Sequence, residues 1–286
     1  MRAGAGTLKA TNGPDSLVAV RGLCKVFADR RPFARATSEV NVLDGVDLVV
    51  PRGTAMAIVG ESGAGKSTLA RCIALLEQPT RGEIWFEGQK VTMLSKRELL
   101  AIRGKVQLIF QDPASALNPS MTAEEIVTEP LVIQRIGTPA ERRACVMELL
   151  GQVGLATEAA GKQPHEFSGG QRQRLAVARA LALEPRLLIL DEACSGLDLK
   201  TQAMILELLA NLKTTRRMSS IYVSHDLRTV SELADEIVVM HRGRIVEQNT
   251  TAALFKNPRD TYTRELLAAM PAMETICERR LVGAGR

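Results

Sequence analysis

Hydrophobic positions fall into two alternating patterns, short apolar runs of strand length and stripes at helical spacing. Leu17-Val-Ala-Val-Arg-Gly-Leu23 and Val46-Asp-Leu-Val-Val50 read as strands, with residues 28–40 between them polar and basic, a hairpin excursion. Thr54 to Val59 is an apolar run suited to a buried strand, and Leu69, Cys72, Ile73 and Leu76 follow at helical spacing. Glu83-Ile-Trp-Phe-Glu-Gly88 alternates charged and apolar residues before a glycine, a strand entering a turn. These strands predict a small antiparallel sheet beside an α/β core.

From Pro113 to Pro164 the pattern is helical. Thr122-Ala-Glu-Glu125 is a capping box opening a helix over Glu125 to Gln134. Thr138-Pro139 starts a second helix, Ala140 to Val153, with Val146, Leu149, Leu150 and Val153 on one face. A third runs from Gln171 to Leu183 and stops before Pro185. The core resumes with the strand Arg186 to Leu190, a helix over Thr201 to Leu212 and the strand Ser219 to Val223. Ile237-Val-Val-Met240 and Arg244-Ile-Val-Glu247 predict a terminal hairpin. Residues 1–16, rich in small polar residues without periodicity, predict a disordered tail.

Composition narrows the class. A chain of 286 residues, 45% hydrophobic and 24% charged, buries a sizeable core as a soluble globular protein. No apolar stretch approaches the roughly 20 residues of a membrane span, and no charged-then-apolar leader opens the chain. Five cysteines, at 24, 72, 145, 194 and 277, form no C-x-x-C pair and none lies near a histidine at ligand spacing. They read as core residues or idle thiols in a reducing compartment, with no metal or iron–sulfur role. The net charge of +5 fits an arginine-rich solvated surface, or attraction to an anionic membrane face. With 3% aromatic residues there are few stacking platforms, which argues against nucleic acid.

The chemistry begins after the first core strand. Gly60-Glu61-Ser62-Gly63-Ala64-Gly65-Lys66-Ser67-Thr68 fills every fixed place of G-x-x-x-x-G-K-[ST]. Glycines let the backbone turn its N–H groups toward phosphate oxygens, Lys66 supplies charge at the β- and γ-phosphates, and the Ser67 hydroxyl suits Mg²⁺. Between strand and helix, this loop puts a helix N-terminus under the phosphates. The strand ending at Leu190 delivers Asp191 and Glu192, one carboxylate to hold Mg²⁺ and one to orient and deprotonate water. Phe167-Ser168-Gly169-Gly170-Gln171 offers a hydroxyl and amides at a second helix start, a second anion site. Two such sites would meet on one nucleotide if two chains faced each other head to tail.

These motifs resemble the ATP-binding subunits of ABC transporters, over nearly all of Leu17 to Pro271. The resemblance implies a P-loop NTPase (RecA-like) α/β core over 17–112 and 185–247 carrying a small antiparallel β subdomain. It further implies an inserted α-helical subdomain over 113–184 and a C-terminal extension over 248–286. Gly60 to Ser67 is similar to the Walker A loop, Leu187 to Asp191 to the Walker B strand, and Phe167 to Gln171 to the signature L-S-G-G-Q, with Phe for Leu. The resemblance implies a nucleotide-sandwich dimer in which Ser168 and Gly170 of one cassette contact the γ-phosphate held by the other. It also implies roles for Gln111 at the Q-loop on Mg²⁺, Asp198 in the D-loop, His225 as the switch histidine on the γ-phosphate, and Phe27 stacked on adenine. The alternative for Phe27 is a strand-end core residue. His165 and His241 read as structural.

Ile109-Phe-Gln-Asp-Pro-Ala-Ser-Ala-Leu-Asn-Pro119 and Asn257-Pro-Arg-Asp-Thr-Tyr-Thr-Arg264 resemble the peptide and nickel importers. Asp260 and Thr261 replace the His and Pro usual there, and Cys277 alone cannot make a cysteine cluster. Glu192-Ala-Cys-Ser-Gly-Leu-Asp198 departs from E-P-x-S-A-L-D toward the nickel importers. The implied protein is a peripheral ATPase on the cytoplasmic face of the inner membrane. Its expected partners are a separate permease, a second cassette (identical or paralogous) and, indirectly, an extracytoplasmic solute-binding protein, with no nucleic acid. The alternatives are a soluble ABC-type ATPase acting on nucleic acid or ribosomes and a nucleotide-gated regulatory module.

Overall fold

Strands that must be covered on both faces organise the molecule. The computed structural model describes residues 15–29, 38–110, 112, 116–192, 199–225 and 227–269. The strands are β1 (Ser16–Asp29), β2 (Ser38–Pro51), β3 (Ala55–Val59), β4 (Arg81–Phe86), β5 (Gln89–Lys90), β6 (Val106–Ile109), β7 (Leu187–Asp191), β8 (Ser219–Ser224), β9 (Glu236–His241) and β10 (Arg244–Thr250). They form two sheets, ordered β2-β1-β4-β5 and β10-β9-β3-β8-β7-β6. The first is antiparallel throughout. In the second, β9, β3, β8, β7 and β6 are parallel and β10 closes the edge antiparallel to β9.

Every residue of β3 and β7 is buried, which is why these strands read as continuous apolar runs. Alternation then divides them between two cores. Ala55, Ala57, Val59, Leu188 and Leu190 face one; Met56, Ile58, Leu187 and Ile189 face the other. The second core also takes α1 (Lys66–Ile73) through Leu69, Ala70, Cys72 and Ile73, and the antiparallel sheet through Leu17, Val18 and Val20. α2 (Lys96–Lys105) adds Ile102 there. The first core takes α3 (Ala123–Ile133), α4 (Pro139–Gln152), α5 (Gly169–Leu181) and α6 (Leu199–Arg216), through residues such as Ile126, Leu150, Leu175 and Leu209. The Phe167 that stands in place of leucine is buried in this core.

α3 and α4 open with the reciprocal capping boxes of Thr122–Glu125 and Thr138–Glu141. An Arg179–Glu129 ion pair at 2.9 Å ties α5 to α3. The chain closes with α7 (Leu227–Leu233), then α8 (Thr251–Lys256) and α9 (Thr261–Ala268) after β10. The hairpin β9–β10 is therefore not terminal. Leu76 is a further correction: α1 ends at Ile73, Leu75 turns with φ +60°, and Leu76 is left exposed beyond the helix. Of the expected tail over 1–16, Ser16 instead opens β1; residues 1–14, residues 30–37, Gln111, the segment 193–198 with Asp198, and Cys277 lie outside the described residues.

Candidate functional site

The phosphate loop is wedged between two strands, and this wedging dictates its glycines. Gly60 has φ +147°, and a Cβ there would stand 2.1 Å from the Met240 carbonyl oxygen at the end of β9. Gly65 has φ +97°, and a Cβ would stand 2.7 Å from the Val42 carbonyl oxygen on β2. Neither position admits a side chain. The Gly243 N–H, in the β9–β10 turn, donates to the Ala64 carbonyl at 3.0 Å and pins the loop's far limb.

α1 starts at Lys66 with Gly65 as its N-cap and no side-chain cap. By contrast α2, α3, α4 and α5 all begin with reciprocal capping boxes. The amides that open α1 are thus left to an anion. Lys66 is 6% exposed, and its Nζ donates to the carbonyls of Gly60 at 2.8 Å and Glu61 at 2.7 Å. Burial pulls its pKa below that of an ordinary lysine, against the opposing pull of Glu192 and Asp191. Glu61, Ser62 and Gly63 form the exposed crest of the loop, with Thr68 half-buried in α1.

Asp191 ends β7 at 4% exposure and accepts a hydrogen bond from the Ser67 Oγ at 2.8 Å. Burial raises its pKa, while the Ser67 hydroxyl, Arg71 and Lys66 counter and Glu192 adds to the rise. Glu192 takes the left-handed region at φ +51° and donates its N–H to Val223 at 2.9 Å. Because Asp191 pairs with Val223 across the parallel β7–β8 ladder, His225, two residues further, comes alongside Glu192. Its Nδ1 lies 3.2 Å from Glu192 Oε1. Lys66, Ser67, Asp191, Glu192 and His225 therefore meet at the carboxyl ends of β3, β7 and β8, where open α/β sheets bind ligands.

A hydroxyl and a carboxylate 2.8 Å apart suit Mg²⁺, which binds through one or two protein oxygens, keeps waters and takes phosphate oxygens. Among the described residues no group of three or more His, Cys, Asp or Glu side chains could cage a metal.

Other expected residues lie elsewhere. Phe27 is 40% exposed, so it is not a core residue. It pairs with Val40, two residues before the Val42 whose carbonyl bounds Gly65. Ser168 N-caps α5: its Oγ accepts from Gln171 N–H at 3.2 Å, and its own N–H donates to Gln171 Oε1 at 2.9 Å. Gly169 follows in the exposed first turn, and a Cβ there would meet nothing within 4 Å; Gly170 is half-buried beside it. His165 lies exposed in a short turn.

The structure adds one pair that sequence reasoning passed over. The Tyr262 hydroxyl of α9 accepts from Glu61 N–H at 3.1 Å, and its ring stacks on His241, centroids 4.1 Å apart. Tyr262 had served only to mark the importer-like segment. Nothing local to it signals a partner 201 positions away.

The ABC transporter family matches residues 43–195. The dipeptide transport ATP-binding protein DppF of Haemophilus influenzae is 40% identical over 252 residues, 88% of this chain and 77% of that protein. DppF of Escherichia coli is 42% identical over 234 residues, 82% of this chain and 70% of its own length. Among solved structures, a dimeric ATP-binding cassette in a post-hydrolysis state bound to ADP and Pi shares 31% identity at a TM-score of 0.74, covering 82% of this chain and 98% of that one. The match of fold, loop and relatives together means that this chain belongs to the ABC transporter family, as the ATP-hydrolysing subunit of an importer.

Proposed function

We propose that this chain hydrolyses ATP to drive uptake of peptides through a separate permease. The observation that carries the reading is the convergence of Lys66, Ser67, Asp191, Glu192 and His225 on one edge of the sheet, with Glu192 and His225 3.2 Å apart. The uncapped start of α1 takes the phosphates, and Lys66, with two of its three donors on carbonyls, brings a donor and its charge to phosphate oxygens. Phe27, exposed at the end of the antiparallel sheet, stacks on the adenine. Ser67 and Asp191, together with Gln111, would hold Mg²⁺, which would supply charge neutralisation at the β- and γ-phosphates. Glu192 orients the attacking water and takes its proton, while His225 fixes the carboxylate and faces the γ-phosphate.

Ser168, Gly169, Gly170 and Gln171 complete the site of a second cassette, to which Asp198 also reports. The self-capped geometry supports this. Ser168 Oγ already accepts from Gln171 N–H, so its own proton remains to donate to an incoming phosphate. The partners are permease subunits and a second cassette, with a solute-binding protein acting through the permease. Exposed Leu100, Val132, Ile133 and Ile136 support a permease contact, since a Gln134 side-chain hydrogen bond to the Leu100 carbonyl gathers α3 and α2 into one face. Among the described residues no helix is long and apolar enough to cross a membrane, in keeping with a peripheral subunit at the inner face.

Reconstitution of the chain with its permease in vesicles tests the reading. Mg-ATP should drive accumulation of di- and tripeptides. ATP-driven accumulation of a nickel chelate without peptide uptake would move the substrate assignment, and no ATP-driven uptake of either would refute it.

A further inference from the structure

The C-terminal extension reaches the phosphate loop through a chain of bonds. Glu247 on β10, only 7% exposed, accepts from the backbone N–H groups of Arg259 and Asp260 at 3.0–3.1 Å. Asp260 in turn N-caps α9 by accepting from Tyr262 N–H at 2.8 Å. Thr263, the next residue, is fully buried. Tyr262 is thereby held with its ring against His241 and its hydroxyl on Glu61 N–H.

That amide belongs to the Gly60–Glu61 peptide, whose carbonyl accepts from Lys66. The peptide is held at both ends, at its carbonyl by Lys66 and at its N–H by Tyr262. Once Lys66 turns a donor to phosphate, its hold on the Gly60 and Glu61 carbonyls is shared with the nucleotide, whereas the Tyr262 hydroxyl on the Glu61 N–H is not. A peptide free to rotate there would turn the crest of the loop away from the nucleotide.

We propose that Tyr262 is a positioning residue for ATP, holding the Gly60–Glu61 peptide of the phosphate loop in its nucleotide-bound orientation from the C-terminal extension. The inference rests on the ATP-binding reading above. It makes the extension a structural input to the nucleotide site, since anything that shifts α9 shifts the hydroxyl on Glu61.

The test compares the full chain with Tyr262→Phe, which keeps the ring on His241 and deletes only the hydroxyl. Mg-ADP binding is measured by calorimetry, alongside the melting temperature without nucleotide and exchange of the Glu61 amide in the Mg-ADP complex. The expected result is a dissociation constant raised about two- to tenfold, the size of one net hydrogen bond, faster Glu61 exchange, and an unchanged nucleotide-free melting temperature. An unchanged dissociation constant overturns the proposal. So does weakened binding accompanied by a fallen nucleotide-free melting temperature, because that is a merely structural role. If the unaltered chain fails to bind Mg-ADP, the ATP-binding reading itself is lost, and this inference with it.

Discussion

Glu192 gives the sharpest test, because two substitutions there should move activity together and stability apart. Its carboxylate lies 3.2 Å from His225 Nδ1, so Glu192→Gln keeps the volume and the side-chain oxygen while removing the base. General-base catalysis contributes about 10²- to 10⁴-fold, or roughly 3 to 5 kcal/mol of barrier. ATP hydrolysis by the assembled complex should fall by that factor while ATP binding holds. Glu192→Gly should be as inactive for the same reason. Yet residue 192 sits at φ +51°, where a side chain is strained and glycine is not. Urea unfolding should therefore show the glycine variant more stable by up to about 1 kcal/mol, and the glutamine variant near the unaltered protein. Turnover within tenfold of normal in Glu192→Gln would remove Glu192 as the base. A glycine variant less stable than the parent would refute the strain argument.

Other expectations follow from the same geometry. Ser168→Arg should leave nucleotide binding by the single chain intact and abolish cooperative hydrolysis, read from ATPase rate against protein concentration; normal cooperativity would place the second site elsewhere. Gly60→Ala cannot seat its methyl 2.1 Å from the Met240 carbonyl, so nucleotide binding measured by calorimetry should be lost. Leu150→Ala, at a fully buried position of α4, should cost about 2–5 kcal/mol in denaturant unfolding. Burial works to raise the Glu247 pKa, but the Asp260 and Arg259 N–H groups prevail and hold it below the ordinary 4.5. A lowered carboxylate pKa stabilises above the unfolded value and loses that contribution as pH falls through the folded one. Amide protection across 259–268, taken relative to the intrinsic exchange rate at each pH, should therefore fall only below about pH 4.5, and loss of protection already at neutral pH would contradict the anchor.

What could be read from sequence was what local chemistry dictates. The phosphate loop was legible because a backbone turned this tightly between β9 and β2 tolerates no other residues at Gly60 and Gly65. β3, β7 and β8 were legible because strands covered on both faces carry uninterrupted apolar runs, and the boxes at Thr122 and Thr138 because an N-cap and its N3 partner are three residues apart. α2 and β6 were missed. Val106–Ile109 is four residues long with Gln107 inside it, and its burial comes from pairing with β7, not from its own composition. The box at Ser168–Gln171 has the same spacing as the others, but its glycines fit exposed amides equally well, and the return bond from Ser168 N–H to Gln171 Oε1 is seen only in the structure. The Tyr262–Glu61 contact was beyond reach, since each end is locally ordinary.

The departures from local rules identify the site without any motif. α2 through α5 satisfy their first-turn donors with side chains, and α1 does not. A left-handed Glu192 stands beside that uncapped turn, and Lys66 is buried against carbonyls, with burial lowering its pKa. Each costs stability, and consistent sequences admit such costs mainly where function demands them. The start of α5 behaves in the opposite way. It is capped, exposed and unstrained, and its Gly169 has open space around the missing side chain. Among the described residues nothing would meet a side chain there, which leaves the space open to a group approaching from outside. A strained nucleotide edge and an unstrained glycine-rich edge on the same molecule are what a pair of cassettes, each finishing the other's site, would present.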